Sequence, residues 1–291
     1  MVQAERRPGV LFLTRCCGLV LRAVQAWRAE MMGQSPFHDH FSERAPGYAA
    51  YRPGYPRELV DYLFDSVTRD LTMASANSQT VWEAGCGSGQ LTQVLAERFQ
   101  RVIATDASAE QIARAEPHRN VEYRITLADA SGLPDHSVEL AVAAQAAHWF
   151  DLDRYYEEVR RVVRPGGLVA LIVYGIHISD DPKIDKVVKE FYGPTLSAYW
   201  PPQRKLVEEE YRTIPFPFAE IHAPKFEMKA DWNLEEMLGY VETWSAVGVM
   251  AKAEGRGPID EFRRELGDAW KDKQVRRTIR WPLSMRMGRC T

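Results

Sequence analysis

The residues best suited to chemistry lie in one short stretch. Residues 80–92 read Thr-Val-Trp-Glu-Ala-Gly-Cys-Gly-Ser-Gly-Gln-Leu-Thr: an apolar run, then three glycines alternating with small residues. The pattern predicts a buried strand, a tight turn and the start of a helix. Gly85, Gly87 and Gly89 admit backbone angles and a close approach that a Cβ would obstruct. Cys86 between them is small. Amides at a helix start favour an anionic or electron-rich ligand group. The loop therefore suits a ligand that touches backbone. Two nucleotide-type ligands fit it, but a dinucleotide fingerprint needs a third glycine at position 90, which is Gln90.

Downstream residues extend the series. About 20 residues on, the spacing from a first strand to the end of a second, residues 101–106 end in Asp106, followed by Ala107. A carboxylate there can accept hydrogen bonds from both hydroxyls of a ribose. Residues 108–111, Ser-Ala-Glu-Gln, form a capping-box pattern. Asp129-Ala130 then precedes an apolar strand at 138–144, which runs into Gln145-Ala-Ala-His148-Trp149. His148 is either a satisfied core histidine or a group lining an acceptor pocket, where an imidazole could take a proton near neutral pH.

The order Glu83-x-Gly85-x-Gly87-x-Gly89, Asp106, Asp129-Ala130 resembles the class I S-adenosylmethionine-dependent methyltransferases. The resemblance implies that Glu83, Gly85, Cys86, Gly87 and Gly89 cradle the methionine end of S-adenosyl-L-methionine. It implies that Asp106 with Ala107 takes the ribose, and that Asp129, Ala130 and Gln145 lie on the adenine and methyl side. The segment Tyr48-Ala-Ala-Tyr51-Arg52-Pro53-Gly-Tyr55-Pro56 resembles the type 11, trans-aconitate methyltransferase-like small-molecule branch. In that branch such a lead-in folds over cofactor or substrate. Tyr51, Arg52, Trp149 and Trp200 are thus acceptor-side candidates, with Arg52 able to hold a carboxylate bidentately. An unrelated use of the lead-in is a rigid, tyrosine-packed loop. The implied reaction is an in-line displacement without metal, on a small acceptor that is carboxylated or aromatic. The competing readings are a nicotinamide-dependent oxidoreductase and a methyltransferase-like binding protein that transfers nothing.

The elements that must hold these residues follow from periodicity. Strands are expected near 80–84, 101–106, 121–126, 138–144 and 168–174, and helices near 57–71, 90–99, 109–115 and 152–163. Alternation of this kind argues for a parallel sheet with helices on both faces, whose ligands bind at the carboxyl ends of the strands. Arg-Pro-Gly-Gly at 164–167 should stop a helix and turn the chain. The resemblance completes the picture as a Rossmann-like α/β fold: seven strands, mostly parallel, the last antiparallel, and a lid-like insertion at 176–215 after strand five. Residues 218–228 are expected as the sixth strand and 277–287 as the last, with helices over 233–244 and 259–270. Arg280 and Arg286 on the last strand either face a carboxylated acceptor or solvate an edge.

Composition sets the outer bounds. The 291 residues are 45% hydrophobic and 26% charged, as in an ordinary soluble globular protein, with a formal net charge of −3 that gives no global basic field to argue for nucleic acid as partner. Cys16, Cys17, Cys86 and Cys290 have neither disulfide nor zinc spacing. The expected location is the cytoplasm, where adenosylmethionine is found, with no membrane association. Residues 1–35 stand apart as an extension: Arg6 and Arg7 precede a short apolar run interrupted by Arg15. It resembles a signal peptide less than a surface helix, or a stretch upstream of a true start at Met31 or Met32. Residues 36–291 are expected as the catalytic domain.

Overall fold

The computed structural model describes residues 52–69 and 79–290, all within one compact unit. The extension at 1–35 and Tyr51 lie outside the described residues.

A nine-stranded sheet forms the centre, with β1 (Thr80–Ala84), β2 (Arg101–Asp106), β3 (Val121–Ile125), β4 (Val138–Ala144) and β5 (Val163–Tyr174) in the order β3-β2-β1-β4-β5. All four pairings among these strands are parallel. The order reverses between β1 and β4, the point at which such sheets open a crevice above their carboxyl ends. β1 and β4 are short apolar runs because both faces are covered: Val81 and Leu140 feed one core, and Trp82 and Ala141 the other.

The helices supply that cover. α1 (Arg57–Thr68) and α2 (Gln90–Ala96) bring Leu59, Leu63, Leu91 and Leu95 to the first core. α4 (Leu152–Val162) brings Tyr155, Val159 and Val162 to the second. α3 (Ala109–Ile112) is one turn long, shorter than the 109–115 expected, and the chain leaves it ahead of Pro117. Ser108 Oγ accepts from the Gln111 amide at 3.3 Å, so half of the capping box forms.

The carboxyl-terminal third departs most from the expectation of seven strands. β9 (Arg277–Arg289) runs antiparallel to β5, as expected, and carries three further antiparallel strands. These are β6 (Ile178–Ser179), β7 (Ala219–Ile221) and β8 (Phe226–Trp232). The expected sixth strand is therefore two. Pro224 lies in the gap between them and offers no N–H to the ladder. β7 and β5 both pair with residues 287–289, so they occupy opposite edges of β9.

Between β6 and β7 lie α5 (Pro182–Glu190), two irregular turns and α6 (Arg204–Glu208). After β8 come α7 (Leu234–Glu242), α8 (Ser245–Glu254) and α9 (Gly257–Trp270). Asn233 caps α7 in a full capping box with Glu236. The helix α8 has little sequence signature: its glycine-containing stretch buries only Ala246, Val247 and Met250.

Candidate active site

The glycine loop joins β1 to α2 at the carboxyl edge of the sheet. All three of its glycines have left-handed φ: 70° at Gly85, 56° at Gly87 and 90° at Gly89. At Gly85 the constraint is also steric, because a Cβ there would lie 2.5 Å from Ala146 Cβ. The loop is thus pressed against the segment that follows β4. Its amides are held by the neighbouring strand: Gly85 N and Cys86 N donate to Thr105 O at 2.7 and 3.0 Å.

Two carboxylates frame this loop. Asp106, at the end of β2, accepts from the Gly87 amide at 2.8 Å and from the Ser108 amide at 2.8 Å. The two bonds fix both oxygens beside the loop, where a ribose edge could approach them. Glu83, at the end of β1, is 2% exposed and accepts from Thr92 Oγ1 at 2.5 Å. Burial pushes its carboxyl up to about 8, against the pull of that hydrogen bond and with a further push from Asp106. Such a group can neutralise a cationic ligand by giving up its proton. The Cys86 thiol is also pushed up, first by burial, so it is inert near neutral pH.

Beside Gly87 the structure leaves room and an unmet acceptor. A Cβ there would meet nothing nearer than Gln111 Oε1, 4.0 Å away, and that buried oxygen has no hydrogen-bond partner. Across the crevice, Gln145 holds a left-handed φ of 53°, its amide donating to Ile172 O and its Nε2 to Tyr174 O at 2.8 Å. Its buried Oε1 likewise has no partner. Two orphaned acceptors beside a glycine cradle suit a ligand rich in hydroxyl and amino donors. Asp129 and Ala130 turn back over the end of β3, the Ala130 amide donating to Leu127 O. The Asp129 carboxylate pairs with Arg154 Nε at 3.1 Å, a partner from the first turn of α4 that its sequence position does not reveal.

The acceptor-side candidates divide into two groups. His148 and Trp149 sit in a short 3-10 turn after β4, their rings 4.9 Å apart. His148 Nδ1 shares a 2.7 Å hydrogen bond with Tyr211 hydroxyl, from the segment following α6. Burial, with a smaller push from Arg204, lowers its imidazole to about 3. A neutral ring so tuned is a poor base near pH 7 and a good fixed hydrogen-bonding group. Arg52 lies further along the edge, its Nη1 donating to Tyr174 hydroxyl at 3.1 Å and its guanidinium 5.6 Å from the Tyr240 ring centre. Tyr55 packs edge-on against the same Tyr174 ring. Trp200 packs on Tyr192 and Trp244.

Arg286 has another task than facing an acceptor. It pairs with Glu220 and donates to Ile214 O at 2.5 Å, tying the segment after α6 to β9. Several residues of this region carried no local signal. Tyr211, Tyr174, Tyr240 and Arg204 reach it only through tertiary packing, and a strand-terminal tyrosine at 174 was the one available hint. His177 is 1% exposed among Tyr240, Trp244 and Trp281, with neither ring nitrogen bonded, and burial lowers it to about 3.

Comparison with known proteins bears on this geometry. Residues 82–171 match the family model of a methyltransferase domain. A Dictyostelium discoideum protein named as a methyltransferase is 34% identical over 240 residues, 81% of this chain and 88% of its own. A Schizosaccharomyces pombe protein, also named as a methyltransferase, is 26% identical over 78% of this chain and 88% of its own. The solved structure of a protein from Anaeromyxobacter dehalogenans, described as a type II methyltransferase, is 41% identical. It superposes with a TM-score of 0.74 over 82% of this chain and 98% of that one.

Proposed function

The chain belongs to the class I S-adenosylmethionine-dependent methyltransferases, and from that premise we propose that it methylates a small-molecule acceptor. The observation that carries the reading is the Gly85–Gly89 cradle with Glu83 and Asp106 fixed on either side of it. In this reading Glu83, Gly85, Cys86, Gly87 and Gly89 line the methionine end of the cofactor. Asp106 and Ala107 take the ribose, Asp129 and Ala130 take the adenine, and Gln145 stands at the methyl side. Gln111 joins the set through its unmet acceptor.

When bound, adenosylmethionine supplies a methyl group already activated on a sulfonium, so the protein has only to align, desolvate and hold. Asp106 is pre-set by its two amide bonds, which spares reorganisation on binding. Glu83 offers a carboxylate whose ionisation a cationic ligand would favour. His148, kept neutral and held by Tyr211, orients the acceptor rather than deprotonating it. Trp149 and Trp200, with Arg52, supply flat apolar surface and charge on the acceptor side. Tyr51 belongs to the same lead-in as Arg52. The reading calls for no metal, and the protein is expected to act in the cytoplasm on a free small molecule. The insertion at 176–215 is read as the cover over that acceptor.

Calorimetric titration with S-adenosylmethionine, and in parallel with NADH, tests the proposal. Binding of adenosylmethionine alone is expected, weakened roughly 10–100-fold by Asp106→Ala, the loss of about 1.5–3 kcal/mol in charge-assisted hydrogen bonding. Binding of NADH in its place would sink the reading.

A further inference from the structure

Arg204 is the first residue of α6, in the insertion between β6 and β7. Its Nε donates to Tyr192 hydroxyl at 2.6 Å. Its guanidinium lies 5.1 Å from the centre of the Tyr192 ring and 4.7 Å from that of Trp200. One hydrogen bond and two ring faces thus hold the cation, and its outer nitrogens make no hydrogen bond among the described residues. No carboxylate pairs with it among the described residues. Glu208 reaches it only through Tyr192, whose hydroxyl donates to Glu208 Oε1 at 2.7 Å. Two other half-buried arginines are paired with carboxylates, Arg277 with Asp180 and Asp181 and Arg286 with Glu220. Its half-buried guanidinium is therefore open to an anionic ligand.

Its place links it to the transfer site. α6 packs against the 147–149 turn that carries His148, in the loop whose Ala146 abuts Gly85. From Arg204 an aromatic wall continues through Tyr192 and Trp200 to Trp244, with ring separations of 5.6 and 6.0 Å. One planar fork with one unmatched charge suits one carboxylate, taken bidentately. A phosphate monoester carries more charge than one guanidinium offsets. The wall suits a flat apolar body.

We infer that Arg204 anchors the carboxylate of a small aromatic monocarboxylate acceptor, whose body lies along Trp200. The inference rests on the methyltransferase reading for the word acceptor, but the anion site stands on Arg204 alone.

The full chain, with and without saturating S-adenosylhomocysteine, is titrated calorimetrically with benzoate, cinnamate and indole-3-acetate. The matched primary amides and phenyl phosphate are titrated alongside. At least one carboxylate is expected to bind tenfold or more tightly than its amide and than phenyl phosphate. Arg204→Gln should erase that margin, and Arg204→Lys should keep part of it through charge without the fork. S-adenosylhomocysteine should bind Arg204→Gln within twofold of the parent, which shows the fold and donor site intact. No carboxylate bound above its amide, a preference for phosphate, or a margin that survives in Arg204→Gln overturns the inference. Failure of the parent to bind S-adenosylhomocysteine counts against the methyltransferase reading instead. The margin measured without it still decides the case of Arg204.

Discussion

At the scale of single residues, backbone shape and burial matter more here than reactive side chains. Gly85 combines a φ of 70° with a site where a Cβ would meet Ala146 at 2.5 Å. Gly85→Ala is therefore expected to cost about 1–3 kcal/mol of stability. It should also weaken cofactor binding at least tenfold, because relief of the clash moves the loop off the 146–150 segment. Thermal unfolding and calorimetry on the same sample check both, and an unchanged midpoint would show that the two loops can part freely. The glycine pattern and Asp106 were legible because they are local: backbone angle and strand end are written within a few residues. The Arg154 partner of Asp129 and the Tyr211 partner of His148 were not, since each comes from another element.

At the scale of elements, the segment after α6 carries the partner of His148. Glu210 and Tyr211 both adopt left-handed φ, 55° and 58°, an arrangement that non-glycine residues keep only when their surroundings hold it. Arg286 supplies part of that hold, through Ile214 O, Glu220 and the face of Phe216. Arg286→Ala should destabilise the protein by about 1–3 kcal/mol, as for loss of hydrogen bonds to a charged group. Its signature is local: faster amide exchange at 209–216, with cofactor affinity unchanged. Uniform exchange across the chain would mean that Arg286 only supports the sheet. The doubling of the sixth strand belongs to this scale too. Periodicity marks apolar alternation, but the break at Pro224 and the sharing of β9 by four strands depend on pairing at a distance.

At the scale of the whole molecule, three buried titratable groups shape stability against pH. His148 and His177 are lowered from 6.5 to about 3, first by burial in both cases. Unfolding lets them take protons below pH 6.5, so each contributes stability that is fully present above 6.5 and lost as pH falls. Glu83 is raised from 4.5 to about 8, first by burial. Its folded form keeps a proton that the unfolded chain releases above 4.5, so it costs stability as pH rises from there to about 8. Each group contributes about 1.4 kcal/mol per pH unit within its window. Between 4.5 and 6.5 the two histidines outweigh the glutamate. Above 6.5 the glutamate acts alone. The ligand-free protein should be most stable near pH 6.5 and lose about 2 kcal/mol by pH 8. Chemical denaturation across pH 4–9 checks this, and Glu83→Gln should remove the alkaline fall while leaving the acid one. An unaltered alkaline limb in that variant would assign it to another group.

The sequence by itself determined the class of fold and the cradle. The parallel α/β core was legible because strands buried on both faces read as short apolar runs, and helices covering them show one apolar stripe. The glycine loop was legible because three alternating glycines followed by a strand-end carboxylate encode geometry within some twenty residues. Only the tertiary structure decided what surrounds the acceptor-side candidates. Tyr211 bonds His148, Tyr174 bonds Arg52, and Arg204 and Trp244 pack on Trp200, each from a separate segment. Such contacts leave no period or spacing in the chain, since almost any apolar environment can bury a tyrosine or a tryptophan. The state of His148 was decided there as well: its residue type suggests a base, and its burial beside Arg204 makes it a neutral hydrogen-bonding group.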